Sequence, residues 1–229
     1  MEPAGTAGMI HIDIVSDTVC PWCYIGKRRL EKAIAERPLY RYQTSWRPFQ
    51  LNPDLPVGGM TRDDYLHAKF GGTDRASRVY SAVLQAGREE ALNFNFAAIR
   101  RQPNTFDTHR LVRWAASIGV QDKVVERLFH RYFIDGVDIS AQDELLRVAG
   151  DCGMDADLVA DLFGADADVE LVREEETVAR KMGINGVPCF IINGKYAVSG
   201  AQDPTVLVHV FDLTSGADAA QAADGAAAD

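Results

Sequence analysis

The sequence predicts an α/β protein in which a mixed sheet flanked by helices is interrupted by a large all-helical insertion. Three observations lead there. Strand-like patterning is confined to the two ends of the chain, around Ile10–Val15, Tyr40–Trp46 and Phe190–Val198. Between about Pro56 and Gly164 the apolar residues recur at helical spacing almost throughout. Two cysteines three apart, Cys20 and Cys23, fall where the first strand hands over to the first helix.

Ile10, Ile12 and Ile14 share one face of the first strand, which runs into a turn at Ser16–Val19. A helix follows from Cys23, with Leu30, Ala33 and Ile34 on its apolar face. Lys27, Arg28, Arg29, Glu31 and Lys32 mark a solvated side, and Pro38 closes the segment. Tyr40–Trp46 reads as a second strand ending near Pro48. In the helical middle, Val124, Leu128, Phe129 and Tyr132 form one stripe and Leu145, Leu146 and Ala149 another. Leu111, Ala115 and Ile118 are in phase on a helix over Asp107–Ile118, preceded by capping side chains at Asn104–Asp107. A helix over Asp168–Met182 leads back to strands at Phe190–Ile192 and Tyr196–Val198, which flank the hairpin turn Asn193-Gly194. A last helix covers Asp203–Leu213. Residues 9–55 and 166–214 thus form the two parts of the sheet domain, around an insertion at 56–165. Residues 215–229 are mostly Ala, Asp and Gly and cannot offset their ordering entropy, so a disordered tail is expected.

With 229 residues and 47% hydrophobic composition the chain can bury a substantial core. A net charge of -9 repels phosphate backbones and acidic lipid surfaces, which argues against nucleic acid and membrane as partners. No leader-like or spanning apolar stretch is present, so a cytoplasmic location is expected. Four cysteines, at 20, 23, 152 and 189, are too few for a secreted disulfide framework. In a reducing compartment a close pair reads as redox-active or metal-binding.

Cysteines three apart on the first turn of a helix have Cα atoms about 5 to 6 Å apart, within the window for a reversible disulfide. At the helix N-terminus, unpaired N–H groups and the positive end of the dipole favour the thiolate of Cys20. Cys20 is therefore expected to be the exposed, attacking sulfur and Cys23 the resolving one. The competing reading is half of a zinc site. It needs two more ligands, and Cys152 and Cys189 are isolated residues rather than a second pair. The pattern calls for neither a metal nor a cofactor.

The run Ser16-Asp17-Thr18-Val19-Cys20-Pro21-Trp22-Cys23-Tyr24-Ile25-Gly26-Lys27 closely resembles the FrnE-like branch of the DsbA-family thiol-disulfide oxidoreductases. So do Trp46–Pro53, Gly186-Val187-Pro188 and Gly194–Gln202, in the same order. The resemblance spans about Ile10 to Leu213. It implies a thioredoxin-like fold, a catalytic C-P-W-C motif, and a cis-proline loop at Val187-Pro188 packed against that motif. It also implies a substrate site formed by Pro21, Trp22, Val187 and Pro188, with the Val187 backbone pairing with an extended substrate.

Asp13, out of phase with the isoleucine face, is a candidate buried proton acceptor for Cys23. The plainer alternative is a polar strand residue. Asp17 reads as a turn former. His109, in a stretch similar to one that recurs in the family, is a candidate cleft contact, against a capping, solvent-facing histidine. Cys152 and Cys189 read as buried, inert thiols.

Expected partners are a disulfide- or dithiol-containing protein or small molecule, glutathione among the latter. Two other functions stay open. One is a glutathione-dependent isomerase or transferase, because 2-hydroxychromene-2-carboxylate isomerases and kappa-class transferases share the helical-insert architecture. Those relatives carry serine at the position of Cys20. The other is a peptide-binding chaperone using the cleft between insertion and sheet domain.

Overall fold

A computed structural model describes residues 8–215, the side chains of 73–76 and 78 excepted. The chain begins with β1 (Met9–Ser16), α1 (Pro21–Glu36) and β2 (Arg41–Pro48). The insertion follows as β3 (Met60–Thr61), α2 (Arg62–Phe70), α3 (Thr73–Glu89), β4 (Arg101–Gln102), α4 (Phe106–Ala116), α5 (Gln121–Phe133), α6 (Gln142–Cys152) and α7 (Ala156–Gly164). The chain returns through α8 (Val169–Lys181), β5 (Cys189–Ile192), β6 (Tyr196–Ser199) and α9 (Pro204–Ser215). The tail expected to be disordered lies, from residue 216 on, outside the described residues.

The main sheet has the order β2-β1-β5-β6. β1 runs parallel to β2, with Ile14 opposite Trp46, and antiparallel to β5, with Ile14 opposite Phe190. β5 and β6 form the expected hairpin; Asn193 and Gly194 both have positive φ, and the Lys195 N–H closes onto the Ile192 carbonyl. Asn193 also ties the turn to β1, its Oδ1 accepting the His11 N–H at 2.8 Å.

Alternation along β1 places Ile10, Ile12 and Ile14 in the main core, with Leu30, Ala33, Leu207 and Phe211 of α1 and α9. Its opposite face carries Val15, which packs with Phe49, Cys189 and Ala179 of α8. The sheet is therefore covered on both sides, which is why β1 ends in the buried run Ile14-Val15-Ser16.

One hydrophobic cluster runs from the sheet into the insertion. Tyr24 stacks on Phe129 with ring centroids 4.9 Å apart, and Trp46 meets the same ring edge-on at 6.2 Å. The short β3–β4 ladder was not expected from helical periodicity; two residues a strand are too few to show a period. Ile118, expected on the apolar face of α4, is exposed because that helix ends at Ala116.

The solvated side expected for α1 holds at Glu31 and Lys32 and is corrected at Lys27, Arg28 and Arg29. Lys27 is buried and ion-paired with Glu31, with Asp122 at 3.1 Å and with Glu126 at 3.1 Å. Arg28 pairs with Glu126, whose Oε1 also accepts the Tyr24 hydroxyl at 2.7 Å. Arg29 reaches Glu90 at 2.9 Å and the Ala201 carbonyl at 2.6 Å. What covers this face of α1 is α5 and the end of α3, elements that helical periodicity within α1 cannot reveal.

Candidate active site at the start of α1

Cys20 is the N-cap of α1, in extended backbone, and Pro21 occupies the first helical turn, where its missing N–H costs nothing. The Cys20 carbonyl accepts from the Cys23 and Tyr24 N–H groups at 3.0 and 3.4 Å, which starts the helix. All four cysteines are free thiols. Cys20 is 4% exposed and Cys23 1%. The expected order holds, but the expectation of an exposed Cys20 sulfur is corrected. The Val187 carbonyl lies over Cys20, accepting from its Sγ at 3.5 Å. Trp22, between the cysteines, is 37% exposed.

The Cys23 thiol is pushed well above the ordinary range, first by complete burial, then by the adjoining Cys20 sulfur. Hydrogen bonds to the Cys23 sulfur from the Ser16 side chain and the Asp17 backbone act in the opposite direction. Cys23 is thus a sealed, protonated thiol adjoining Cys20.

The Val187-Pro188 peptide is cis. Its loop is seated against α1 at Gly26, where a Cβ would come within 2.9 Å of Pro188 Cγ and 3.1 Å of Phe190 Cζ. Gly26 was not singled out from the sequence, although it falls one helical turn after Cys23. Beyond the loop, Ile184, Asn185, Val187, Cys189 and Ser199 line a pocket of about 580 Å³. Cys189 is buried on the face of the sheet shared with α8, and burial raises its thiol, as it does that of Cys152.

Asp13 does not fit the buried-acceptor expectation. Its side chain is 35% exposed and its Oδ1 accepts from Arg47 Nε at 2.7 Å, on the side of β1 turned from the isoleucines. The buried acid is Asp17, fully enclosed, with Oδ2 accepting the Leu51 N–H at 2.7 Å. Its backbone carbonyl accepts the Cys20 N–H at 3.0 Å. His109 is buried rather than solvent-facing, with Nε2 3.6 Å from Asp17 Oδ1. Beside it, Thr108 and Thr18 share a hydrogen bond of 2.9 Å that pins the cysteine loop to α4. Asp13 and Asp17 share the parity of Val15, so alternation alone does not tell them apart; the end of β1 at Ser16 does.

Among solved structures, the chain is similar to a probable DsbA oxidoreductase of Streptomyces coelicolor, with TM-score 0.82, 28% identity and 90% of each chain covered. It is also similar in fold to a 2-hydroxychromene-2-carboxylate isomerase, with TM-score 0.63, 15% identity, and 93% of this chain and 98% of that one covered. The cytosolic disulfide reductase DsbM of Pseudomonas aeruginosa, solved with GSH, gives TM-score 0.56 and 15% identity, covering 82% of this chain and 89% of that one. The model of the DSBA-like thioredoxin domain matches residues 11–212. With a sheet of this order, a cysteine pair opening α1 and a family match over nearly all the described residues, the chain belongs to the DSBA-like thioredoxin domain family.

Proposed function

We propose that this protein is a cytoplasmic thiol-disulfide oxidoreductase of the FrnE-like branch, with Cys20 as nucleophile and Cys23 as resolving thiol. The observation that carries the reading is the free dithiol at the N-terminus of α1, with Cys20 at the cap and Cys23 sealed one turn inside. The thiolate of Cys20 attacks a substrate disulfide, forming a mixed disulfide and releasing one substrate thiol. Cys23 then attacks the Cys20 sulfur, the second substrate thiol leaves, and Cys20–Cys23 becomes a disulfide. Two electrons pass from enzyme to substrate, and the reverse sequence oxidises a dithiol.

Pro21, Trp22, Val187 and Pro188 surround the entry to Cys20 and form the substrate-contacting surface in this reading. The contact of the Val187 carbonyl with Cys20 Sγ supports it, since an extended substrate seated on that backbone would carry its sulfur to Cys20. Substrates are disulfide- or dithiol-bearing proteins or small molecules, glutathione among them; the GSH-bound structure of DsbM supports the small-molecule arm. Four sparse cysteines suit a reducing compartment. Isomerase chemistry of the 2-hydroxychromene-2-carboxylate type is the second reading, favoured by the shared fold. A cysteine where the resemblance places serine makes redox exchange the better one.

Reduction of insulin by the dithiol-regenerated protein tests the proposal. Turnover is expected, and Cys20→Ser should lower it at least about a hundredfold. Full exchange by Cys20→Ser would show that the nucleophile is misassigned.

A further inference from the structure

We propose that Asp17 and His109 form a buried carboxylate–imidazole pair through which the insertion governs the resolving step, the expulsion of substrate from Cys20 by Cys23. The proposal rests on the thiol-exchange reading above. Neither touches the substrate: Asp17 acts through the loop that carries the cysteines, and His109 takes up the proton that the step releases.

The carboxylate of Asp17 accepts two backbone hydrogen bonds and faces His109 on a third side. Oδ2 accepts from Leu51, Oδ1 accepts the Val19 N–H at 3.5 Å, and His109 Nε2 stands 3.6 Å from Oδ1. That nitrogen is buried and has no hydrogen-bond partner in the dithiol protein. A buried polar nitrogen without a partner is costly, so its placement beside a carboxylate points to a state in which the contact closes. The backbone of the same Asp17 is coupled to both cysteines: its carbonyl accepts from the Cys20 N–H at 3.0 Å, and its amide lowers the Cys23 thiol against the effect of burial. A shift of a few tenths of an ångström at Asp17 is therefore felt at both sulfurs.

Charge gives the pair its role. Cys23 must lose a proton inside a sealed site that already contains the Asp17 carboxyl group, and a second buried anion there is unfavourable. Uptake of one proton by His109 leaves the charge of the region unchanged. In the balanced step, Cys23–SH gives up its proton and the imidazole gains one. The Cys23 thiolate then attacks the Cys20 sulfur, the Cys20–substrate bond breaks and the Cys20–Cys23 bond forms. The departing thiolate and the imidazolium return to neutrality through one proton passed to the leaving group or to water.

His109 also lines a pocket of about 350 Å³ between β2, α4 and α8, with partly exposed walls through which that proton can exchange. The charged groups there are already paired. Arg113 meets Asp168 at 3.3 Å and also Glu175, while Arg47 is held by Asp13. Asp17 is thus the carboxylate left to face Nε2 among the described residues.

The test uses the full chain in its dithiol form, mixed with excess dithiobis(nitrobenzoate) and followed by stopped flow from pH 5 to 9. Two coloured thiolates leave in succession, the first by attack of Cys20 and the second by resolution through Cys23. In His109→Gln, an amide keeps a donor near Asp17 but cannot titrate. The second phase is expected to slow on the order of tenfold near neutral pH and to lose one ionisation from its pH profile, while the first phase keeps its own profile. Asp17→Asn should change the second phase in the same sense; if it does not fold, His109→Gln alone decides. A second-phase profile of His109→Gln that overlays the parent's would overturn the proposal. So would an equal slowing of both phases at every pH, which marks a merely structural role. Absence of any first phase in the parent protein would instead defeat the thiol-exchange reading, and this proposal with it.

Discussion

Gly26 shows how one missing methyl group shapes the site. The cis-proline loop approaches α1 so closely there that a Cβ would overlap the ring of Pro188 and press on Phe190, neither of which can swing aside as a flexible chain end would. Gly26→Ala gains helix propensity but must displace the loop, and overpacking of this kind costs about 1–3 kcal/mol. In a protein of this size that corresponds to a fall of roughly 2–12 °C in the melting midpoint. Because Val187 moves with Pro188, the rate of attack by Cys20 should fall as well. A thermal scan and an exchange assay on the same preparation check both, and an unchanged midpoint would show that the loop is not seated on the helix.

Cys23 makes a second residue-level expectation. Its thiol is raised in the folded protein, above the free value of about 8.5. Below that value both folded and unfolded chains keep the proton, and the contribution to stability is fully present. As pH rises past it, the unfolded chain releases the proton while the folded one retains it, so stability falls until the folded thiol itself titrates. Denaturant melts of the reduced protein should lose up to about 1.4 kcal/mol per pH unit from this group above pH 8.5. Cys23→Ala should be less steep by that amount, with Cys152 and Cys189 continuing to contribute in both proteins. Equal slopes would mean that Cys23 is not sealed.

Between elements, the clamp of α1 on α5 determines how firmly the insertion holds the redox helix. Glu126 receives Tyr24, Lys27 and Arg28 at once, and although burial alone would raise its carboxyl, the hydrogen bonds from Arg28 and Tyr24 bring it below the usual range. Glu126→Gln keeps the shape but removes one of the three carboxylate charges around the buried Lys27 and the one that holds Arg28 to α5. A loss of about 1–3 kcal/mol is expected, discounted from the cost of a fully buried pair because Glu126 is partly exposed. Equilibrium unfolding measures it, and a neutral result would reduce the clamp to ornament on the surface.

The same element pair marks the boundary of what sequence patterns reveal. β1, the hairpin at Asn193-Gly194 and α8 were legible because period-two alternation, turn chemistry and period-3.6 stripes are local. Lys27 was misread as solvated because its partners Asp122 and Glu126 lie on a helix some hundred residues away. Asp17 was passed over for Asp13 on the same ground. What distinguishes them is the Leu51 N–H and His109, contributed by segments that meet only in three dimensions. The cysteine pair, by contrast, announced itself through spacing and its place between strand and helix.

Over the whole molecule, a single hydrophobic cluster spans sheet and insertion; α4 and α5 both rest on β2, and α5 also rests on α1. The insertion is thus built as part of the wall around the dithiol, through Thr108, His109 and the aromatic contact of Tyr24 with Phe129. The central claim is that this arrangement makes Cys20 the attacking thiol and Cys23 the resolving one. The most direct measurement is to mix Cys23→Ser protein with a disulfide-bonded peptide and determine intact mass and the modified residue by peptide mapping. The account predicts one stable adduct, located on Cys20 and absent from the double variant Cys20→Ser, Cys23→Ser. No adduct, or an adduct carried by Cys152 or Cys189 with Cys20 unmodified, would contradict it.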